Sequence, residues 1–375
     1  MQARQCTSRL SLLLLSLTMA AANAAWAYPE YRVTVVGPAN SRATDINSDG
    51  AVVGTYRARS GATRGFLNLG DKFIALGTLG GRSSNAVAIN DKGQVLGNWT
   101  ARNGEQRGFI YYAAKPVRGG MRHADIQYAG KQRNVGALPG RVTTFTDINN
   151  AGYVTAIGAT ANVEDGTRSY LGAPDGGLTD VGNLRFEEPQ TINNALALNN
   201  RNQVAGESGP VRFPDQPLRA FLWNQGAMRD LGDLGHAPNR GAAINDRGQV
   251  TGHASLDAGV RDRVAFLYSN GRLTDIDGRP ATTLRSSAGT GINNHGHIVG
   301  VSDHLSGFIY RGRRMQSLNA LVDPGLGWDI QSPQAINDAG QIAATAVRRG
   351  VSYAVRLDLI RPQVPAQDLA NDGSD

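Results

Sequence analysis

Ala243-Ile244-Asn245-Asp246-Arg247-Gly248-Gln249-Val250-Thr251-Gly252 is the stretch from which the fold of this chain is read, because it recurs. With its asparagine as the marker, copies fall at Asn47, Asn90, Asn149, Asn199, Asn245, Asn293 and Asn337. The mean spacing is about 48 residues, longer than most solenoid units and in the range of blade-type repeats. Inside the phrase, Asn, a polar residue, any residue and Gly follow one another, as from Asn245 to Gly248. A side-chain carbonyl at the first place folds back on the backbone and the last place wants a positive φ, which is the chemistry of a hairpin turn closed by a glycine bulge. The fourth copy carries Asn202 instead of Gly, and Asn is among the residues that best tolerate that region.

Three more short apolar runs follow each phrase. The second run is of the form Val95-Leu96-Gly97, and the third carries an aromatic: Phe66, Phe109, Tyr170, Phe221, Phe266, Phe308 or Tyr353. The fourth ends in an aliphatic residue, as at Leu76, Val135, Val181, Leu231, Ile276 and Leu318. Four strand-type runs in each of seven repeats predict an all-β, seven-bladed β-propeller of four-stranded blades over residues 28–360. The run at residues 31–37 has the form of a fourth strand and precedes the first phrase, whereas the last repeat has only three runs. The N-terminal strand is therefore expected to pair into the last blade and close the ring, leaving no open edge. The aromatics of the third runs are expected between blades, in the core.

Residues 1–27 read as a secretory signal: Arg4 and Arg9, an apolar run from Leu10 to Ala22, and small residues permitting cleavage after Ala24 or Ala27. That run is too short for a membrane span, and no later stretch is apolar enough for one. An exported protein, periplasmic or extracellular, is expected. Cys6 lies in the leader and is the one cysteine, so disulfides, thiolate metal sites and cysteine nucleophiles are excluded from the mature chain. The formal net charge of +7 falls to +5 without the leader arginines, and nearly all the base is arginine. Codon usage explains that as readily as a surface that meets anions, where planar guanidinium outperforms ammonium. An insertion at 113–133 lengthens the second repeat, another at 185–197 the approach to the fourth phrase, and the Pro- and Gly-containing tail 361–375 reads as disordered.

Copies of the form Ala-x-x-Ile-Asn-x-x-Gly-Gln-Val-x-Gly, with Ala220-Phe221-Leu222-Trp223 and Met228-x-Asp-Leu-Gly, resemble the bacterial extracellular HAF repeat from about residue 31 to 360. The histidine that precedes the family's Ala-Phe is replaced here by Arg219 and Val264. The resemblance implies a secreted bacterial protein and brings no catalytic residues.

With strands counted outward from the axis, the phrase turns and the third-to-fourth turns share one face and are short. The second-to-third loops and the blade connections share the other face and vary, and function is expected there. Ligand-binding candidates on that face are Arg57, Trp99, Arg102, Glu207, His253, Arg263, Asp303, His304 and Trp328, with the two tryptophans placed to stack a sugar ring or to pack. Arg64, Arg107, Arg168 and Arg219 stand two before the third-run aromatic, for structural pairing with turn carbonyls or for ligand binding. Asp45-x-Asn47-x-Asp49-Gly50 imitates the start of a calcium loop, but Tyr56 stands where a bidentate carboxylate is needed, so it reads as a turn. His295 and His297 straddle a turn glycine and read as exposed loop residues, since zinc needs three or four converging ligands. There is no nucleophile elbow, paired-histidine helix or phosphate loop, so no catalytic residue, metal or cofactor is expected. The predicted role is a secreted, monomeric binding scaffold for an extracellular polymer or protein ligand, an acidic glycan first. The alternatives are a carbohydrate-active lyase or glycosidase and a purely structural surface protein. Acidic residues in the same loops argue against nucleic acid.

Overall fold

A computed structural model describes residues 29–113, 132–138, 142–159, 165–184, 190–211, 217–257, 261–280 and 284–360. The expected leader at 1–27, the expected tail at 361–375 and most of the insertion read at 113–133 lie outside these. Seven antiparallel four-stranded sheets form the seven blades, as the repeat predicts. They span 41–75 (blade I), 83–136 (II), 142–180 (III), 191–230 (IV), 236–275 (V), 287–317 (VI) and 329–359 with 31–39 (VII). Strands a to d run outward in each blade; every a strand touches the a strand of the next blade, and Asp329–Ile336 touches Ser41–Ile46 to complete the circle. The N-terminal strand β1 (Tyr31–Ala39) pairs antiparallel with Val351–Leu359 from Tyr31 opposite Leu359, and so supplies blade VII with its d strand.

The phrase forms the a–b turn. Gly248 N–H donates to Asn245 O at 3.0 Å, Asn245 N–H donates to Gln249 O at 3.0 Å, and Gly248 has φ +75°. Asn202 takes the same turn at φ 60°. The marker asparagine does more than shape its own turn. Its Oδ1 accepts the N–H four residues on, while its Nδ2 donates to the carbonyl of the next marker asparagine, in the neighbouring blade. Asn47 reaches Asn90 O at 3.2 Å, Asn90 reaches Asn149, Asn149 reaches Asn199, and so on until Asn337 reaches Asn47 O at 2.9 Å. Seven interblade bonds close on themselves around the axis, and all seven asparagines are buried. Outside this ring, Asp91, Asn150, Asn200, Asp246, Asn294 and Asp338 each accept the N–H of the corresponding residue one blade back, at 2.7–2.9 Å. Ser48 stands at the seventh place.

Between blades, the third-strand aromatics pack as expected in five cases: Phe66, Phe109, Phe221, Phe266 and Phe308 are fully buried. Each lies opposite a b-strand glycine, namely Gly54, Gly97, Gly206, Gly252 and Gly300. The glycine is required by crowding: a Cβ on Gly97 would stand 2.3 Å from both Phe109 Cζ and Asn85 O. Tyr170 and Tyr353 depart from the expectation, being only half-buried. In blade VII the place opposite Ala344 is held by Val355, and Tyr353 comes two residues earlier, edge-on to Trp328. In blade III the interblade ring is Phe145, supplied by the a strand, and Ala156 replaces the glycine opposite Tyr170.

Gly248→Val is expected to cost at least about 1 kcal/mol, because a β-branched residue tolerates positive φ poorly. Chemical denaturation of the wild type and the variant measures the difference; equal midpoints would count against this account of the turn.

Candidate functional site

The antiparallel order places the phrase turns and c–d turns at one end of the axis, and the b–c loops and blade connections at the other. The nine sequence candidates all lie on the b–c side, but as separate groups, and none of them lines the three cavities described below.

Trp99 is only 8% exposed and belongs to the core between blades I and II, with the Gly81 backbone against its ring and the Arg107 guanidinium 5.9 Å from its centre. A ring so covered offers no free face to a sugar. Trp328 is half-buried, and the Arg348 guanidinium lies 5.2 Å from its centre. Asp303 receives Arg279 Nη2 at 2.7 Å, and the His304 ring Nδ1 shares a hydrogen bond of 2.6 Å with Ser302 Oγ. Arg279 also grips Asp277, and the buried Arg285 binds Asp262 and Asp275, so this corner of blades V and VI is a closed charge network. Glu207 accepts from Asn194 Nδ2 at 3.0 Å. Burial drives the His253 imidazole down to about 4, with Arg263 and Arg240 adding to the effect, so the ring is neutral at ordinary pH. Arg102 is exposed, its Nε donating to Gly80 O at 3.0 Å, and Arg57 is exposed at the end of its strand.

The arginines divide into two classes. Arg168 and Arg219 pair with d-strand or following carboxylates, Asp180 for the first and Asp230 with Asp233 for the second, and Arg107 pairs with Glu105; these three hold carboxylates where turn carbonyls were one sequence expectation. Arg64 Nε is buried and finds no acceptor among the described residues. Arg42, Arg57, Arg59, Arg82, Arg240, Arg261, Arg348 and Arg349, by contrast, are exposed on the b–c side, and no described carboxylate forms a salt bridge with any of them. They come from blades I, V and VII and the connection into blade II. The result is a face that carries exposed guanidinium groups, none of which lines the cavities described below.

The axial cavities lie towards the other end. A polar cup of about 220 Å³ is lined by the marker asparagines and their outer neighbours, and a second space of about 200 Å³ continues from it past Thr44, Thr146 and Thr290. Asp45 and Asp147 face both. They stand two before the marker asparagine, where the other blades have Ala88, Ala197, Ala243, Gly291 and Ala335. Asp45 accepts the N–H groups of Ile46 and Ile89, and Asp147 those of Ile148 and Leu198. Burial pushes Asp45 up to about 8, helped by the charge of Asp147, and pushes Asp147 up to about 7, in each case against those N–H bonds. Asn47 Oδ1 is held by Ala51 N–H, so the residues that imitate a calcium loop serve the backbone. His295 and His297 sit on the phrase turn of blade VI, their rings 5.9 Å apart.

Sequence reading missed the Nδ2 clasp and the axial carboxylates, although the replacement of Ala by Asp at one repeat place was a visible signal for the latter. It also missed a hydroxyl stitch between blades: Ser41, Ser84 and Ser287 accept N–H groups of Ala354, Gly65 and Ala265 in the preceding blade.

No family model and no curated protein matches the chain. Among solved structures it is similar to YCF48 bound to D1 peptide, at 10% identity and TM-score 0.52, covering 89% of this chain and 98% of that one. It is also similar to a prolyl endopeptidase (11% identity, TM-score 0.51, 89% of this chain and 51% of that one). A third is the acylaminoacyl peptidase of Pyrococcus horikoshii (12% identity, TM-score 0.50, 84% of this chain and 50% of that one). The chain spans about half the length of the two peptidases. At these identities the likeness is one of fold, and it supports the propeller.

Proposed function

We propose that the protein is an exported binding scaffold whose b–c face holds an anionic extracellular polymer, an acidic glycan first among them. The observation that carries the reading is the set of exposed arginines on that face with no carboxylate partner among the described residues, Arg42, Arg57 and Arg240 among them. Guanidinium offers paired hydrogen bonds to carboxylate or sulfate, and arginines spread over blades I, V and VII suit an extended ligand lying across several blades. Arg263 and neutral His253 add a donor-rich margin beside Arg240, His253 hydrogen-bonding without charge. The resemblance to HAF repeats and the leader at 1–27 support export; protein recovered from the periplasm or medium should begin at Ala25 or Tyr28, and a chain retaining Met1 there would overturn that part.

The binding test is retention on immobilised heparin and on neutral dextran across a salt series. Wild type is expected to stay on heparin alone, and Arg57→Ala/Arg240→Ala/Arg263→Ala to bind about tenfold more weakly, a loss of about 1.4 kcal/mol. Equal retention on both polymers, or an unaffected triple variant, would leave the arginines without this role. Release of shortened chains from the polymer would favour the glycosidase or lyase reading instead.

A further inference from the structure

Among the described residues, one interblade place of the repeat is left without a side chain. The c-strand residue two after the third-run aromatic lies opposite a b-strand Val or Ile, and in four blades it is a large ring: Tyr111, Trp223, Tyr268 and Tyr310. These rings pack against the preceding blade, Trp223 for example with Leu171 and Val181 of blade III. In blade III the residue at that place is Gly172, opposite Val154. Phe145 fills the inner part of the interface between blades II and III, its ring against the Gly108 backbone. The outer part is a cavity of about 330 Å³ that opens beside the phrase turn at Gly152 and the tip at Pro174. Its walls include Ile110, Val135, Leu138, Phe145 and Val154, and Leu178, 58% exposed, stands at the rim. Arg133 and Asn134 also line it.

We propose that this cavity is a binding site for a small aromatic molecule of one or two fused rings. Four sister interfaces are built around a flat ring at this very place, and the walls of the interface between blades II and III retain the aliphatic lining while no described residue supplies a ring. An apolar cavity of this kind holds water poorly and gains by taking up an apolar ligand of matching shape. Phe145 gives the ligand an aromatic neighbour, and Asn134 Oδ1, which accepts Gly136 N–H at 2.9 Å, has a second lone pair for an indole N–H or a phenol O–H. The site is at the opposite end of the axis from the arginine face and does not depend on the function proposed for that face.

Gly172 lies outside the left-handed region, and a Cβ there would meet Val154 Cγ2 at 3.1 Å and Leu178 Cδ2 at 3.6 Å, so a side chain can be directed into the cavity with a small shift of Val154. The probe is indole, added to the full mature protein. Wild type is expected to show a saturable rise in melting temperature of about 2 °C, and Gly172→Trp to show none. Absence of a rise in wild type, or an equal rise in Gly172→Trp, overturns the proposal. Should Gly172→Trp not fold, methyl NMR of the wild type decides: ring-current shifts must fall first on the methyls of Val135, Val154 and Leu178. Shifts elsewhere that spare these three overturn it.

Discussion

A chain lacking residues 29–37 is expected to aggregate, or to unfold with the loss of several kcal/mol, an appreciable part of the roughly 5–15 kcal/mol that holds a domain folded. The strand β1 is bound to the rest of blade VII by more than its ladder. Tyr31 and Val36 are each only 2% exposed, and they belong to two different interblade cores. Thr34 Oγ1 donates to Asp358 Oδ2 at 2.7 Å, and Asp358 is also held by Arg356 and Gln341. Arg356 in turn donates to Gly50 O at 2.7 Å, tying blade VII to the first phrase turn, and Glu30 pairs with Arg311 of blade VI. Removing β1 uncovers one edge of Val351–Leu359, a strand that buries Val355 and Leu357, and such an edge pairs with other chains. Size-exclusion chromatography and thermal unfolding test this, and a peptide of residues 29–39 added in trans should restore part of the stability. A monomer with an unchanged melting temperature would contradict the closure.

The second large effect is on the alkaline side of the pH profile. Asp45 and Asp147 have folded values raised to about 8 and about 7 from an ordinary 3.8. A group raised in this way gives its full stabilisation below the unfolded value and loses it as pH climbs through the folded one. Each unit is worth about 1.4 kcal/mol, so the pair is worth several kcal/mol between about pH 4 and pH 8. Asp91 is the further carboxylate that acts on Asp45. The acid limb has the opposite sign. Burial raises Asp277, Asp303 and Asp358, but Arg279 and Arg356 outweigh it and hold all three below the usual range, so their contribution fades as pH falls below about 4. The melting temperature should therefore peak in mildly acidic solution. Asp45→Ala/Asp147→Ala installs the residue that four other blades carry, and should flatten the limb between pH 5 and pH 9. An unchanged alkaline slope in that variant would place its origin elsewhere.

The architecture was legible because its determinants are local and repeated. The Asn-to-Gly spacing encodes a turn, the alternation of short apolar runs encodes strands, and the missing fourth strand of the last repeat points to Tyr31–Ala39. What the marker asparagine does with its Nδ2 was not legible, since one turn gives no sign of the carbonyl that the next blade brings within reach. The same limit applied to Trp99 and Trp328, where strand-end position says nothing of how a neighbouring blade covers the ring. Arginine was the hardest case. Arg219 lies 3.2 Å from Asp230, whereas Arg240 stands exposed with no described carboxylate paired to it, and neither neighbourhood can be read from adjacent residues. Only the fold divides the basic residues into those paired with carboxylates and those exposed without a described one. Gly172 shows the reverse: comparing copies reveals the missing ring, while only the packing of Phe145 and Ile110 shows that no other described residue has taken its place.

The central claim is that the anionic polymer is met by the b–c face, while the asparagine-ring turns at the other end hold the blades together. Hydrogen exchange of the mature protein with and without heparin tests it most directly. The asparagine-ring turns should be strongly protected in both states, and the ligand should add protection over residues 55–63, 236–240, 253–257 and 261–263. Added protection confined to the phrase turns around Asn47, Asn149 and Asn245, with the b–c loops unchanged, would contradict the account.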